Sequence, residues 1–178
     1  MELTRRCDYA CRILRSAYRH KDTYISIADV AEEEDIPYAF ARTIQHDLAT
    51  AGYLKTVRGA RGGLSLSIDP AEVTVLDVLS ALQGPVAVSP CSADPESCEK
   101  SDWCSFNKVW LAADNALHNL FGSLTLLDVF ENGTDPSSVN EAVSATDELV
   151  SRSLEDLAAG RNAHGTPSDS ADAKAATC

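Results

Sequence analysis

The sequence predicts a mainly α-helical protein: a winged helix-turn-helix unit of three or four helices plus a β-hairpin wing, followed by a long dimerisation helix. Three observations predict it. Helical segments meet at a tight turn around Asp35, a glycine-rich basic hairpin follows directly, and a heptad of apolar residues occupies the second half.

Residues 3–20 read as a helix with Ala10, Ile13, Leu14, Ala17 and Tyr18 on one side and arginines on the other. Ser26 with Asp29 makes a capping box for a second helix, whose apolar stripe is Ile27, Val30 and Ala31. After the turn, Pro37 suits the first position of a third helix in which Phe40, Ile44, Leu48 and Ala51 repeat at helical spacing, and Gly52 closes it. The segments YLKTV and LSLSI flank Arg58-Gly59-Ala60-Arg61-Gly62-Gly63, and Leu64, Leu66 and Ile68 alternate with polar residues as in a half-buried strand. That is a hairpin with a basic tip. Thr74 and Asp77 open a fourth helix through Val75, Leu79 and Leu82, and Gly84-Pro85 end it, so residues 1–84 form the DNA-binding unit.

The rest divides by composition. Residues 85–102 carry proline, serine and acids without apolar periodicity and read as a loop, so that 85–104 is a cysteine-bearing segment. Residues 103–158 follow as helix. Trp103, Phe106, Trp110, Ala113, Leu117, Leu120, Leu124 and Leu127 are spaced alternately by three and four, the seam of a coiled coil, which predicts a homodimer. The same seam could pack on the chain's own first unit, and Gly122-Ser123 is where the helix would bend or stop. Ser138 and Glu141 cap a last helix with Val139, Val143, Leu149, Val150, Leu154 and Leu157 as its apolar side. Residues 159–178, polar and rich in small side chains, read as a disordered tail ending in Cys178.

Charge is the first objection to nucleic acid as a partner, because DNA binding rests largely on neutralising phosphates and the net charge is −12. The distribution answers it. Residues 1–70 hold 10 basic and 10 acidic residues, and residues 71–178 hold 5 and 17. Arg5, Arg6, Arg12, Arg15, Arg19 and Lys21 line the start while Lys55, Arg58 and Arg61 sit together, which allows one positive face. No stretch approaches the roughly 18 apolar residues of a membrane span, and MELTRRCDYACRIL is too charged for a secretory signal. The expectation is a cytoplasmic protein with no membrane partner. It is not an enzyme: the phosphate-binding, zinc-protease and nucleophile-elbow motifs are missing, and the wing glycines are no dinucleotide fingerprint.

In this order of elements the third helix enters the major groove, and phosphate contacts fix its register. Tyr38, Arg42, Thr43, Gln45 and His46 lie off its apolar stripe. Arg42 suits guanine, Gln45 suits adenine, and the hydroxyls of Tyr38 and Thr43 suit base or phosphate, while His46 reads equally as a solvated histidine. Arg58 and Arg61 at the glycine-rich tip would reach phosphate or the minor groove.

Cysteines stand at 7, 11, 91, 98, 104 and 178, and in a cytosolic chain they read as thiols or metal ligands rather than disulfides. Thiolates are the usual ligands of iron-sulfur clusters, and Cys91, Cys98 and Cys104, with gaps of six and five residues, can surround one face of a cluster. Structural zinc prefers tighter pairs with a fourth Cys or His nearby. Metal-free thiol sensing is the other reading of the trio, and a zinc-stabilised interaction module or a thiol redox enzyme are its rivals.

LTRRCDYACRIL at the start, AGYLKTVRGARGGLSL in the wing, and the cysteine trio before a long helix resemble the IscR/NsrR family of winged-helix regulators over residues 1–130. The resemblance implies a cytoplasmic homodimer on palindromic operator DNA with one iron-sulfur cluster per subunit, although some members lack a cluster. IscR-like proteins supply a histidine three residues after the last cysteine, where this chain has Asn107, a poor ligand. NsrR-like proteins supply an aspartate near the N-terminus, and Asp8 stands at the matching place. The resemblance thus implies a 4Fe-4S rather than a 2Fe-2S cluster, with Asp8 of the partner subunit as its oxygen ligand. Cys7 and Cys11, one helical turn apart and softer donors, compete with Asp8, as do water or a small thiol.

Overall fold

Thr4 starts the first helix by accepting the Cys7 amide on its hydroxyl at 3.3 Å, and α1 then runs Arg5–Arg19. The computed structural model describes residues 2–59, 62–132 and 136–158. One face of α1 buries Ala10, Ile13, Leu14 and Ala17 against the following helices, as the periodicity predicts, together with Cys7, while Tyr18 is half-buried. Ser26 caps α2 (Ile27–Glu33) through the Asp29 amide at 3.1 Å, and the chain then reverses through Asp35 at φ 51°. Pro37 is the N-cap of α3 (Tyr38–Thr50) rather than its first helical residue, because the Phe40 and Ala41 amides bond back to its carbonyl. Gly52, at φ 85°, ends α3 as expected. The Tyr53 amide reaches the Leu48 carbonyl and the Gly52 amide the Ala49 carbonyl, at 2.9 and 3.2 Å, which is a Schellman closure.

The wing is β1 (Leu54–Val57) antiparallel to β2 (Gly63–Leu66), with Leu54 opposite Leu66 and Val57 opposite Gly63. Ile25, just before α2, adds a bridge to Leu64, so a third backbone runs beside the hairpin. That explains Gly63: a Cβ there would strike the Ile25 carbonyl. The fourth helix α4 (Val75–Gln83) carries a complete capping box between Thr74 and Asp77 and stops at Gly84, φ 83°.

Beyond α4 the structure departs from the expected loop and single long helix. Residues 85–102 contain a short helix α5 (Pro90–Ala93) and a 3-10 turn (Pro95–Ser97). The long helix divides into α6 (Ser105–Ser123) and α7 (Leu126–Asn132), at the glycine-serine pair. The cause lies in the segment that leads into α4, where Thr74 and Thr125 form an isolated antiparallel bridge. The Val75 amide bonds the Leu124 carbonyl and the Leu126 amide bonds the Val73 carbonyl, at 3.0 and 2.8 Å, which draws residues 124–126 out of helical geometry. Thr125 then recaps α7, its hydroxyl accepting the Asp128 amide at 3.1 Å. Leu124 and Leu127 therefore leave the α6 seam, and Trp103 precedes it.

The last helix α8 (Pro136–Ala158) begins before the expected Ser138 cap and packs on α6. Its positions Ser138, Val139, Leu149, Val150, Leu154 and Leu157 lie outside the residues whose side chains are described, as does the tail 159–178 with Cys178. Among the described residues no helix is long and apolar enough to cross a membrane.

Candidate functional site

The α3 surface comes first, because the fold pins it from below. Ala41, Ile44 and Leu48 are its buried residues. Tyr38, Arg42, Thr43 and His46 are exposed, and Gln45 is half-buried at the edge. All five predicted side chains thus lie on or beside one accessible face. Thr43 spends its hydroxyl proton on the Ala39 carbonyl at 3.1 Å but keeps acceptor capacity. Arg58 is exposed on the wing next to Gly59 at φ 122°, and Arg61 lies outside the described residues. Periodicity misplaced Phe40 and Ala51, which are exposed; Ala41 takes the core position instead. Residues 40 and 41 are both compatible with an Ile44 stripe, at spacings of four and three, and only the packing against α1 decides between them.

The expected positive face is smaller than the arginine count suggests. Arg15 donates to the Glu34 carboxylate at 2.5 Å, Arg19 joins it at 3.3 Å, and Arg12 donates to the Glu34 carbonyl and approaches its carboxylate. Glu34 is buried, 4% exposed, so these three cations tie α1 to the end of α2 and are not free for phosphate. Arg6 pairs with Asp47 of α3 at 2.8 Å. Arg5, Arg42, Lys55 and Arg58 remain exposed without an ion pair among the described residues.

The cysteine segment is organised by polar groups. Asn107 and Asp114 are buried on α6, 6% and 5% exposed. Asn107 donates to the Cys91 carbonyl at 3.1 Å, Asp114 accepts the Val88 amide at 2.6 Å, and the His118 ring meets the Val86 carbonyl at 2.7 Å. Spaced by seven and four, these side chains form one stripe that holds residues 86–91 against the helix. Their spacing was visible in the sequence, yet Asn107 read only as a poor ligand.

Cys91, Cys98 and Cys104 are half-buried free thiols. Cys91 sits in α5, Cys98 closes the 3-10 turn, and Cys104 is the N-cap of α6. Hydrogen bonds with Ser89, 3.4 Å away, and then with Asn107 hold the Cys91 thiol below its ordinary pKa. Among the described residues no group of three or more His, Cys, Asp or Glu converges on a metal position. The donor set nonetheless suits an iron-sulfur cluster: soft, unpaired and partly accessible thiols on one short segment. Asp8 is exposed on α1 and pairs with Arg12 at 3.5 Å. Cys7 is fully buried, its Sγ donating to Gln83 Oε1 at 3.1 Å. Burial pushes the Cys11 thiol up to about 11, with the nearby Cys7 and Asp8 adding to it. Of the candidate fourth ligands, Asp8 is exposed, Cys11 is half-buried and Cys7 is buried.

Several known proteins are similar to this chain. The chain is 27% identical over 135 residues to the rrf2 protein of Nitratidesulfovibrio vulgaris, covering 75% of this chain and 90% of that one. It is 26% identical over 133 residues to the transcriptional regulator IscR of Xenorhabdus nematophila, covering 74% and 80%. The solved structure of CymR, the global cysteine regulator of Bacillus subtilis, superposes with a TM-score of 0.61 at 23% identity, covering 73% of this chain and 96% of that one. The profile of the Rrf2 family, described as iron-dependent transcriptional regulators, matches residues 3–132, and the chain belongs to that family of winged-helix, DNA-binding regulators.

Proposed function

We propose that two copies of this chain bind a palindromic operator in the cytoplasm and that an iron-sulfur cluster sets their affinity for it. The observation that carries the DNA half is the exposed face of α3, where Tyr38, Arg42, Thr43 and His46 stand together with Gln45 at the edge. Arg42 and Gln45 read bases, Tyr38, Thr43 and His46 complete the groove contact, and Arg58 and Arg61 hold phosphates at the wing. The cluster half rests on the trio Cys91, Cys98 and Cys104, with Asp8 of the partner subunit as fourth ligand and 4Fe-4S as the form. A bound cluster would supply a centre that oxidants, nitric oxide or iron shortage destroy. Its loss reaches the DNA-reading unit because residues 84–91 continue from α4, whose last residue, Gln83, holds Cys7 of α1.

Spectroscopy of the anaerobically purified full chain beside an operator-binding titration tests this. The expected result is a coloured protein with iron and sulfide in similar amounts, a spectrum altered by Asp8→Ala, and operator affinity that changes when the cluster is lost. Arg42→Ala should weaken operator over random DNA, and Arg58→Ala or Arg61→Ala should weaken both and lower the salt slope by about one each. Protein that stays colourless after reconstitution overturns the cluster.

A second reading has one observation in its favour: the Cys91 thiol is held low by Ser89 and Asn107, as a reactive thiol requires. In that metal-free sensor, peroxide would abolish DNA binding by a colourless protein and Cys91→Ser would prevent the loss.

A further inference from the structure

Phe40 is an aromatic side chain on the recognition helix, 62% exposed. It borders a groove of about 530 Å³ between the starts of α1 and α3, lined by Arg5, Arg6, Tyr9, Phe40, Thr43 and Asp47 among others. We propose that Phe40 reads a thymine methyl group of the operator, in a groove where Arg5 holds a flanking phosphate. The proposal rests on the DNA-binding reading and adds to it a residue for apolar base recognition.

Three features of the groove select DNA as its occupant. It is continuous with the DNA-reading face, since Thr43 belongs to both. Its charge suits phosphate: Arg5 is exposed, and Arg6 neutralises Asp47, the carboxylate that would otherwise repel a backbone, at 2.8 Å. Its aromatic matches one group only. Phenylalanine neither donates nor accepts, and the sole apolar substituent on a base edge in the major groove is the thymine C5-methyl. Arg42 and Gln45 read by hydrogen bonds, and Phe40, 62% exposed, offers the most exposed large apolar side chain of α3 to a thymine methyl.

The test uses the full-length chain and an operator selected from random duplex DNA. Each thymine of the selected site is replaced in turn by deoxyuridine, which removes only the methyl group, and affinity is titrated at constant salt. For the wild-type chain one replacement per half-site should weaken binding roughly fourfold, the worth of burying one methyl. Phe40→Ala should lose a similar factor on the thymine duplex and bind thymine and uracil duplexes equally, while Phe40→Leu should keep part of the difference. Far-UV dichroism confirms that both variants fold, as an exposed side chain predicts. A thymine preference that survives Phe40→Ala overturns the proposal, as does an equal loss on every duplex. A shift in sedimentation of Phe40→Ala without DNA would give the groove to a second copy of the chain and overturn it too. Failure to enrich any sequence would instead overturn the DNA reading itself.

Discussion

The two halves of the molecule are built with opposite polarity. In the first, α1 buries Cys7, Ala10, Ile13, Leu14 and Ala17, and its long charged side chains stay toward solvent or on Glu34. In the second, the buried residues of α6 are Asn107 and Asp114, whereas Phe106, Val109 and Leu111 are 66, 49 and 37% exposed and the neighbouring Trp103 is 71% exposed. Apolar surface of that size on a helix calls for cover from another molecule. The contrast teaches that the DNA-reading unit closes its own core, while α6 uses its buried contacts to position a loop and leaves apolar side chains exposed among the described residues. Of these exposed residues Trp103 and Phe106 belong to the predicted heptad seam and Val109 and Leu111 do not, while Trp110, Ala113, Leu117 and Leu120 of the seam are half-buried.

The strongest way to break this comparison is to remove the ion cluster that closes the first half. Glu34→Ala would strand Arg15 and take the buried carboxylate from Arg12 and Arg19; Arg12 keeps Asp8 and the backbone carbonyl of residue 34, and Arg19 keeps Glu33. Breaking a buried pair costs about 3–5 kcal/mol, and because the arginines are partly exposed we expect about 3 kcal/mol here, read by urea unfolding. A loss below that of an ordinary surface substitution would mean that the α1–α2 packing does not depend on these charges. In the second half the matching experiment is Asp114→Ala, which leaves the Val88 amide without its 2.6 Å acceptor. About 2 kcal/mol should be lost, and the released segment should make Cys91 more accessible to alkylation. Unchanged Cys91 labelling would show that Asn107 and His118 hold the segment without it.

A smaller effect is expected at the exposed end of α6. Phe106 stacks on Trp110 at a centroid distance of 6.3 Å and is otherwise open to solvent. Phe106→Ala should change single-chain unfolding by less than about 0.5 kcal/mol, as surface substitutions do. It should nonetheless raise the dimer dissociation constant about tenfold in sedimentation, because an exposed aromatic anchor is removed. The reverse pattern, a destabilised chain with an unchanged dimer, would assign the seam to the chain's own packing.

Local chemistry made most of the first half legible from sequence. Caps at Thr74 and Ser26, the Gly52 closure and the wing glycines each act within a few residues, and the structure has each where the sequence predicts it. What stayed hidden depends on distant partners. The arginine run of α1 resembled a phosphate-binding face because nothing in its own spacing reveals that Glu34 lies beneath it. The sequence marked Gly122-Ser123 as the place where the heptad helix would bend or stop, and α6 ends there, but the pairing of residues 73–75 with 124–126, which joins segments about fifty residues apart, stayed hidden. The Asn107, Asp114 and His118 stripe has the spacing of an ordinary solvated helix face, and only the loop docked on it shows its use. The cysteine trio was legible only as three thiols on one segment; they are half-buried, and among the described residues they converge on no common position.

The smallest expected effect compares one residue type across the two halves. Burial raises the Cys11 thiol to about 11 from an ordinary 9.0, whereas hydrogen bonds lower Cys91. At pH 8 a thiol-alkylating reagent should therefore modify Cys91 before Cys11 in peptide maps of the metal-free chain. The same asymmetry carries a stability consequence. Because the folded state keeps the Cys11 proton to a higher pH than the unfolded chain does, its contribution is complete below about pH 9 and declines as pH rises toward 11. Cys11→Ala loses packing at every pH but has no proton to hold. The gap in unfolding free energy between wild type and Cys11→Ala should thus narrow by about 1 kcal/mol between pH 8 and pH 10, since one pKa unit corresponds to 1.36 kcal/mol. Tyrosines and lysines that titrate in that window are common to both chains and cancel in the difference. A gap that stays constant would mean that Cys11 ionises as freely folded as unfolded, and α1 would then be packed more loosely at its cysteines than at Ile13 and Leu14.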